Sequence, residues 1–110
     1  MVQYDFLDAS FGALADPTRR GILECLGSGP ATVSELAERF EMTLTGVKKH
    51  IQLLEAAGMV VTEKRGRVRH CRLGANVFDR EVAWMQDYRR MVEARMDRLG
   101  EFLERTEQDR

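Results

Sequence analysis

Cysteine is scarce in this chain. The two present, Cys25 and Cys71, have no close-spaced partners, which argues against a disulfide framework and against zinc-finger spacing. Histidine is equally sparse, with His50 and His70 alone. Neither has an evident nucleophile or acid partner, and the chain holds no Gly-rich phosphate loop, so catalysis finds no support. No apolar run approaches the roughly 18 residues of a membrane span. The opening stretch MVQYDFLDAS lacks the basic and apolar regions of a secretion signal. A cytoplasmic protein is expected. Internal repeats and low-complexity segments are also missing.

What is present is an ordinary globular composition. The chain has 110 residues, 44% hydrophobic and 32% charged, enough for one domain with a modest core and too apolar for disorder. The net charge of −1 excludes a uniformly basic coat. It does not exclude a basic patch, and the charge is unevenly placed. Between Thr43 and Arg72 stand seven cations (Lys48, Lys49, Lys64, Arg65, Arg67, Arg69 and Arg72) and two acids, Glu55 and Glu63. From Ala75 onward seven arginines face nine acids. The distribution says more about partners than the total does.

Hydrophobic periodicity and punctuation divide the chain into helices, a hairpin and a further helix. Leu7, Phe11 and Leu14 recur at helical spacing. Asp16 and Pro17 then suit the cap and first position of a second helix, whose stripe is Ile22, Leu23 and Leu26. GSGP ends it. Thr32 and Glu35 resemble a capping box ahead of a third helix burying Val33, Leu36, Ala37 and Phe40. After the short turn EMT, Thr43 caps a fourth helix with Val47, Ile51 and Leu54 inward, and Gly58 closes it. This is a helix-turn-helix over about 33–57. The period then switches to strands, with RGR at the tip of a hairpin over about 60–73: a wing. From about 75 to 107 the helical period returns through Phe78, Val82, Met85, Tyr88, Val92, Met96, Leu99 and Leu103. That stripe is longer than a 70-residue winged domain can cover, so burial against a second copy of the chain is expected. The fold class expected is mainly α with a small β-hairpin, a single winged helix-turn-helix domain over 1–110 with a long terminal dimerisation helix.

The outward face of the fourth helix carries Leu44, Thr45, Lys48, Lys49 and Gln52, and no acid occurs from Thr43 to Leu54. An α-helix fits the DNA major groove, and lysines, hydroxyls and helix N-terminal N–H groups meet phosphates. An acid there would repel them. Leu44 and Thr45 lie in the first turn, where base edges are read; Leu44 offers only apolar contact, such as to a thymine methyl. Gly46 fits either close backbone approach to DNA or tolerated sequence drift. On the hairpin, Lys64, Arg65, Arg67 and Arg69 surround Gly66, a tip able to reach phosphates or a narrow minor groove. The same charges also protect a strand edge from aggregation. Cys25 is read as a small core residue and Cys71 as part-buried.

FGALADPTRRGILECL, TVSELAERFEMTLTGVKKHIQLLEAAGMV and EKRGRVRHCRL resemble the ArsR family of bacterial winged-helix repressors over nearly the whole chain. Trp84, Tyr88, Arg98 and Leu99 resemble a subgroup without evident metal sites. The resemblance implies a homodimer paired through its first and last helices (Leu7 and Phe11 with Phe78, Met85, Tyr88, Val92, Met96, Leu99 and Leu103) on a near-palindromic double-stranded operator. It also implies that Thr43, Leu44, Thr45, Lys48, Lys49 and His50 lie on or beside the DNA, although the family has Ser where this chain has Lys48. The metal-sensing members carry a Cys-x-Cys-type motif on the third helix, where this chain reads TVSELAERF, or carboxylate and His ligands on the last helix, where it has no His. No metal or cofactor is expected. Two alternatives stay open from the residues: a winged-helix module for an acidic protein partner, and a ligand- or redox-gated sensor with an unknown effector.

Overall fold

The computed structural model describes the backbone of residues 2–108 and the side chains of residues 6–107. The chain forms two compact units, divided between Val77 and Phe78.

The first unit holds α1 (Val2–Leu14), α2 (Pro17–Gly27), β1 (Ala31–Thr32), α3 (Val33–Arg39), α4 (Leu44–Ala56), β2 (Val60–Arg65) and β3 (Val68–Leu73). Three of its helix starts are set by side chains read from the sequence. The Asp16 carboxylate accepts from Arg19 N at 3.0 Å, with Pro17 behind it, and the Thr32 and Thr43 hydroxyls accept from Glu35 N and Gly46 N at 3.1 and 3.0 Å. Each satisfies a donor that the first helical turn leaves unpaired. The capping box is half formed: among the described residues no bond returns from Glu35 to Thr32.

Two helices end in the same way. After α4 the chain turns through Ala57 to Gly58 at φ 74, with Met59 N bonding Leu54 O at 3.0 Å and Gly58 N bonding Glu55 O at 2.9 Å. After α3, Glu41 takes the left-handed place at φ 52, while Met42 N bonds Ala37 O at 2.9 Å and Glu41 N bonds Glu38 O at 3.2 Å. This paired pattern is the Schellman closure. It makes the turn between α3 and α4 tight and fixes their relative direction, with a glutamate where glycine is cheaper. Phe40 caps the third helix and is half-buried, outside the buried face expected of it.

The core gathers Ile22 and Leu26 of α2, Leu36 of α3, Val47, Ile51 and Leu54 of α4, and Met59, Val60 and Cys71 around the sheet. That sheet has three antiparallel strands in the order β1-β3-β2, one more than a hairpin. Ala31 pairs with Cys71 and Thr32 with His70. The added strand makes β3 central. Cys71 is therefore fully buried rather than part-buried, and Cys25 is half-buried rather than a core residue. Leu7, expected to face a second copy, is 9% exposed within its own chain. Phe11 is half-buried.

The second unit is α5 (Asp79–Gln108), 30 residues long, or about 45 Å. It begins later than the stripe suggested. Phe78 precedes it at φ 71, a strained position for a bulky side chain, with its carbonyl accepting from Val82 N at 2.8 Å. Trp84 and Tyr88 stack one turn apart, with centroids 5.6 Å apart. Val82, Met85, Tyr88, Val92, Met96, Leu99 and Leu103 are all exposed, Met96 to 63%. No helix among the described residues is long and apolar enough to cross a membrane.

Candidate nucleic-acid interface

The buried stripe Val47–Ile51–Leu54 fixes the rotation of α4 about its axis. Between 43 and 52 the exposed residues are then Thr43, Leu44, Thr45, Lys48, Lys49 and Gln52. The Thr43 hydroxyl accepts from Gly46 N at the cap and keeps its O–H to donate. Gly46 lies under that cap; a Cβ there would stand 3.1 Å from Thr43 Oγ1 and 3.3 Å from Met42 Cε, so a larger residue would press on the cap.

The hairpin is set by a two-residue turn. Arg65 pairs with Val68, leaving Gly66 and Arg67 at the tip. Gly66 has φ 63, and Arg67 is not among the residues of positive φ. Glycine at the first central position alone is the type II′ requirement, whose twist matches that of paired strands. The register then sorts the cations. Alternation puts Lys64 on the same face as Thr62 and Val60, and across the ladder with Arg69, Cys71 and Leu73. Arg65 falls on the other face, 3.5 Å from Glu63.

The tip therefore turns Lys64, Arg67 and Arg69 toward the first turns of α4. Together with Leu44, Lys48, Val68 and the start of α3 they line an open groove of about 320 Å³. A neighbouring hollow of about 350 Å³ is lined by Lys48, Gln52, Glu55 and Arg69. Lys64 and Arg69 are directly opposite in the ladder. Like charges so placed destabilise a sheet, a cost that an anion in the groove would offset. Arg69 is steadied by a relay: its Nη1 donates to Thr62 Oγ1, which donates to Glu55 Oε2, each at 3.0 Å. This is the role of the one acid on α4.

Of the residues expected at the interface, Thr43, Thr45 and Lys49 are exposed but line neither hollow, and Arg65 and His50 also lie outside them. Arg65 is on the far side of the hairpin. His50 is half-buried, with Nδ1 3.2 Å from Arg19 Nη1 and 3.9 Å from Asp16 Oδ2. Sequence reading missed Arg19, Thr62 and Glu55 altogether, since their partners lie 6 to 31 residues away. Asp16 is held below the usual carboxylate range, first by the backbone N–H of Arg19 and then by the charge of the Arg19 guanidinium. Burial pushes the Cys71 thiol up, helped by the Glu55 charge. Among the described residues no group of three or more His, Cys, Asp or Glu is placed to hold a metal ion.

A short turn between two helices, a second helix with a cationic face, and a basic hairpin sharing its groove define a winged helix-turn-helix protein. A family model described as a helix-turn-helix domain matches residues 14–63. The transcriptional repressor SdpR of Bacillus subtilis is 30% identical over 78 residues, 71% of this chain and 87% of SdpR. The crystal structure of an ArsR family transcriptional regulator is 46% identical, with a TM-score of 0.76 over 81% of this chain and 92% of the other. The solution structure of a homodimeric winged helix-turn-helix DNA-binding domain from Mycobacterium bovis is 27% identical, with a TM-score of 0.65 over 77% and 79% of the two chains. The chain belongs to the ArsR family of transcriptional regulators.

Proposed function

We propose that this protein is a homodimeric repressor that binds a near-palindromic DNA operator, working by binding alone, without a catalytic step, in the cytoplasm. The observation that carries the reading is the convergence of Lys48, Lys64, Arg67 and Arg69 with Leu44 on one groove. Lysine and arginine there meet phosphates, while Leu44 and Thr45 meet base edges at the start of α4. Thr43, Lys49 and Gln52 extend the same face. SdpR is a transcriptional repressor and the M. bovis domain is homodimeric, both in keeping with this assignment.

The apolar stripe of α5, from Met85 to Leu103, is the surface assigned to the second copy, and Phe11 of α1 is assigned to the same dimer interface. An obligate dimer buries more than the roughly 800 Å² per partner of a standard interface. Two-fold symmetry then asks for two half-sites about one helical turn apart.

Capture of genomic fragments on the protein, followed by sequencing, tests the DNA reading: enrichment of inverted repeats is expected, and affinity for duplex DNA that does not change with salt counts against it. Light scattering tests the dimer. Met96→Asp with Leu99→Asp should give a monomer or an unfolded chain, and a wild type that is monomeric at micromolar concentration overturns this part.

A further inference from the structure

Arg19 joins three helices through one side chain. Its Nε donates to Ala13 O at 2.9 Å and its Nη2 to Gly12 O at 3.1 Å. Both carbonyls belong to the last turn of α1, which has no basic residue of its own there. The C-terminal end of a helix leaves carbonyls short of donors and favours positive charge; Gly12 O also accepts from Ala15 N at 3.2 Å. Arg20 completes the arrangement by donating to Leu14 O at 2.7 Å. The third arm of Arg19, Nη1, lies 3.2 Å from His50 Nδ1 on α4.

The chemistry of that contact is one-directional. A guanidinium carries only donors, so Nδ1 must accept, and the ring holds its proton on Nε2. Asp16 Oδ2, at 3.9 Å from Nδ1, is too distant for a direct hydrogen bond. It contributes charge, and its own place is fixed by the backbone N–H of Arg19. His50 follows Lys48 and Lys49 directly, so a restraint on His50 restrains the turn that carries them.

We propose that Arg19 is a positioning residue for DNA recognition: it ties the end of α1 to His50 Nδ1 and so sets the orientation of α4, and His50 acts through this bond rather than by touching phosphate. The inference rests on the DNA-binding reading above. The fork of Arg19 is what allows three acceptors on two helices to be held at once; a lysine in its place has the charge without the fixed geometry.

The experiment compares full-length wild type with His50→Asn, His50→Gln and Arg19→Lys. Asn places an acceptor near the position of Nδ1, and Gln places a polar group near that of Nε2. Binding to a random-sequence duplex is titrated at several salt concentrations, below the unfolding temperature of every variant. His50→Asn should bind as wild type does. His50→Gln and Arg19→Lys should each weaken binding about tenfold, the loss of roughly one charge-assisted hydrogen bond, with the salt slope unchanged. In the wild type, nitrogen-15 spectra of His50 should show Nδ1 unprotonated and Nε2 protonated.

The reverse order, with Gln tolerated and Asn weakened, makes Nε2 a DNA contact and overturns the proposal. So does a salt slope lowered by about 0.9 per site, a proton on Nδ1, or wild-type affinity in all three variants. If Arg19→Lys does not fold, the Asn and Gln pair and the ring spectrum decide. A wild type that binds no duplex removes the DNA reading and this inference together, whereas a wild type that binds beside unaffected variants removes the inference alone.

Discussion

The hydroxyl of Thr62, in the first half of β2, donates to the Glu55 carboxylate near the end of α4 at 3.0 Å while accepting from Arg69 on β3. One side chain thus ties the hairpin to α4 and holds Arg69, which lines the groove. Thr62→Val removes both bonds at nearly constant volume. It should weaken binding to all duplexes, leave the salt slope close to wild type, and cost about 0.5–1.5 kcal/mol of stability. Titration and urea unfolding check it; a fall in slope as large as that from deleting a phosphate-binding lysine would mean that Arg69 had left the phosphates as well.

The two cationic elements should behave alike and differ from the first turn of α4. Lys49→Ala and Arg67→Ala should each weaken binding to every duplex. Removing one phosphate-binding cation takes about 0.9 from the salt slope, and twice that in a dimer. Thr45→Ala should act mainly on operator over scrambled DNA, by about 1–3 kcal/mol if its hydroxyl reads a base edge. Salt titrations on both duplexes separate these cases. Unchanged affinity and slope in both Lys49→Ala and Arg67→Ala would leave the basic face idle and favour an acidic protein partner.

Glu41 and Gly58 occupy equivalent places in two helix closures, at φ 52 and 74, so substitutions there should have opposite signs. Gly58→Ala should destabilise by about 1–2 kcal/mol, the cost of a Cβ in the left-handed region. Glu41→Gly should stabilise by about 0.5–1 kcal/mol, relief of that cost less the added freedom of the unfolded chain. Chemical unfolding of the two variants gives the signs directly; destabilisation by Glu41→Gly would show that the glutamate side chain has an unrecognised role in the turn.

The Cys71 thiol is raised by burial, which favours its neutral form in the folded state. Its contribution to stability is full below the pKa of an unfolded thiol, about 8.5, and is lost as pH rises through the higher folded value. At pH 8 a thiol reagent should therefore label Cys25 in the native protein and reach Cys71 only on unfolding. Mass spectrometry after timed labelling checks this, and rapid native modification of Cys71 would show that β3 opens locally.

Leu7 and His50 show where reading from the sequence stops. Spacing puts Leu7 on the apolar face of a helix, and resemblance assigns both it and His50 to functional faces. Leu7 is covered by its own chain, because periodicity identifies an apolar face but not what covers it. His50 meets Arg19, 31 residues away, and no local pattern records such a meeting. The two-residue strand Ala31–Thr32 escapes sequence reading for a similar reason: it is too short to show alternation and exists only because β3 offers it an edge.

Local chemistry along the chain is enough to set the order of elements, the caps at Asp16, Thr32 and Thr43, the closing glycine at 58, the hairpin turn at Gly66 and the apolar stripe of α5. Each is a matter of side-chain spacing, backbone donors or allowed φ, settled within a few residues. Folding in three dimensions was needed to choose which cations share the groove, which one is turned away with Glu63, and what Arg19, Thr62 and Glu55 are for. Those outcomes depend on strand register and on long side chains finding acceptors on other elements, and a guanidinium reaches across a helix to partners that the linear order keeps far apart.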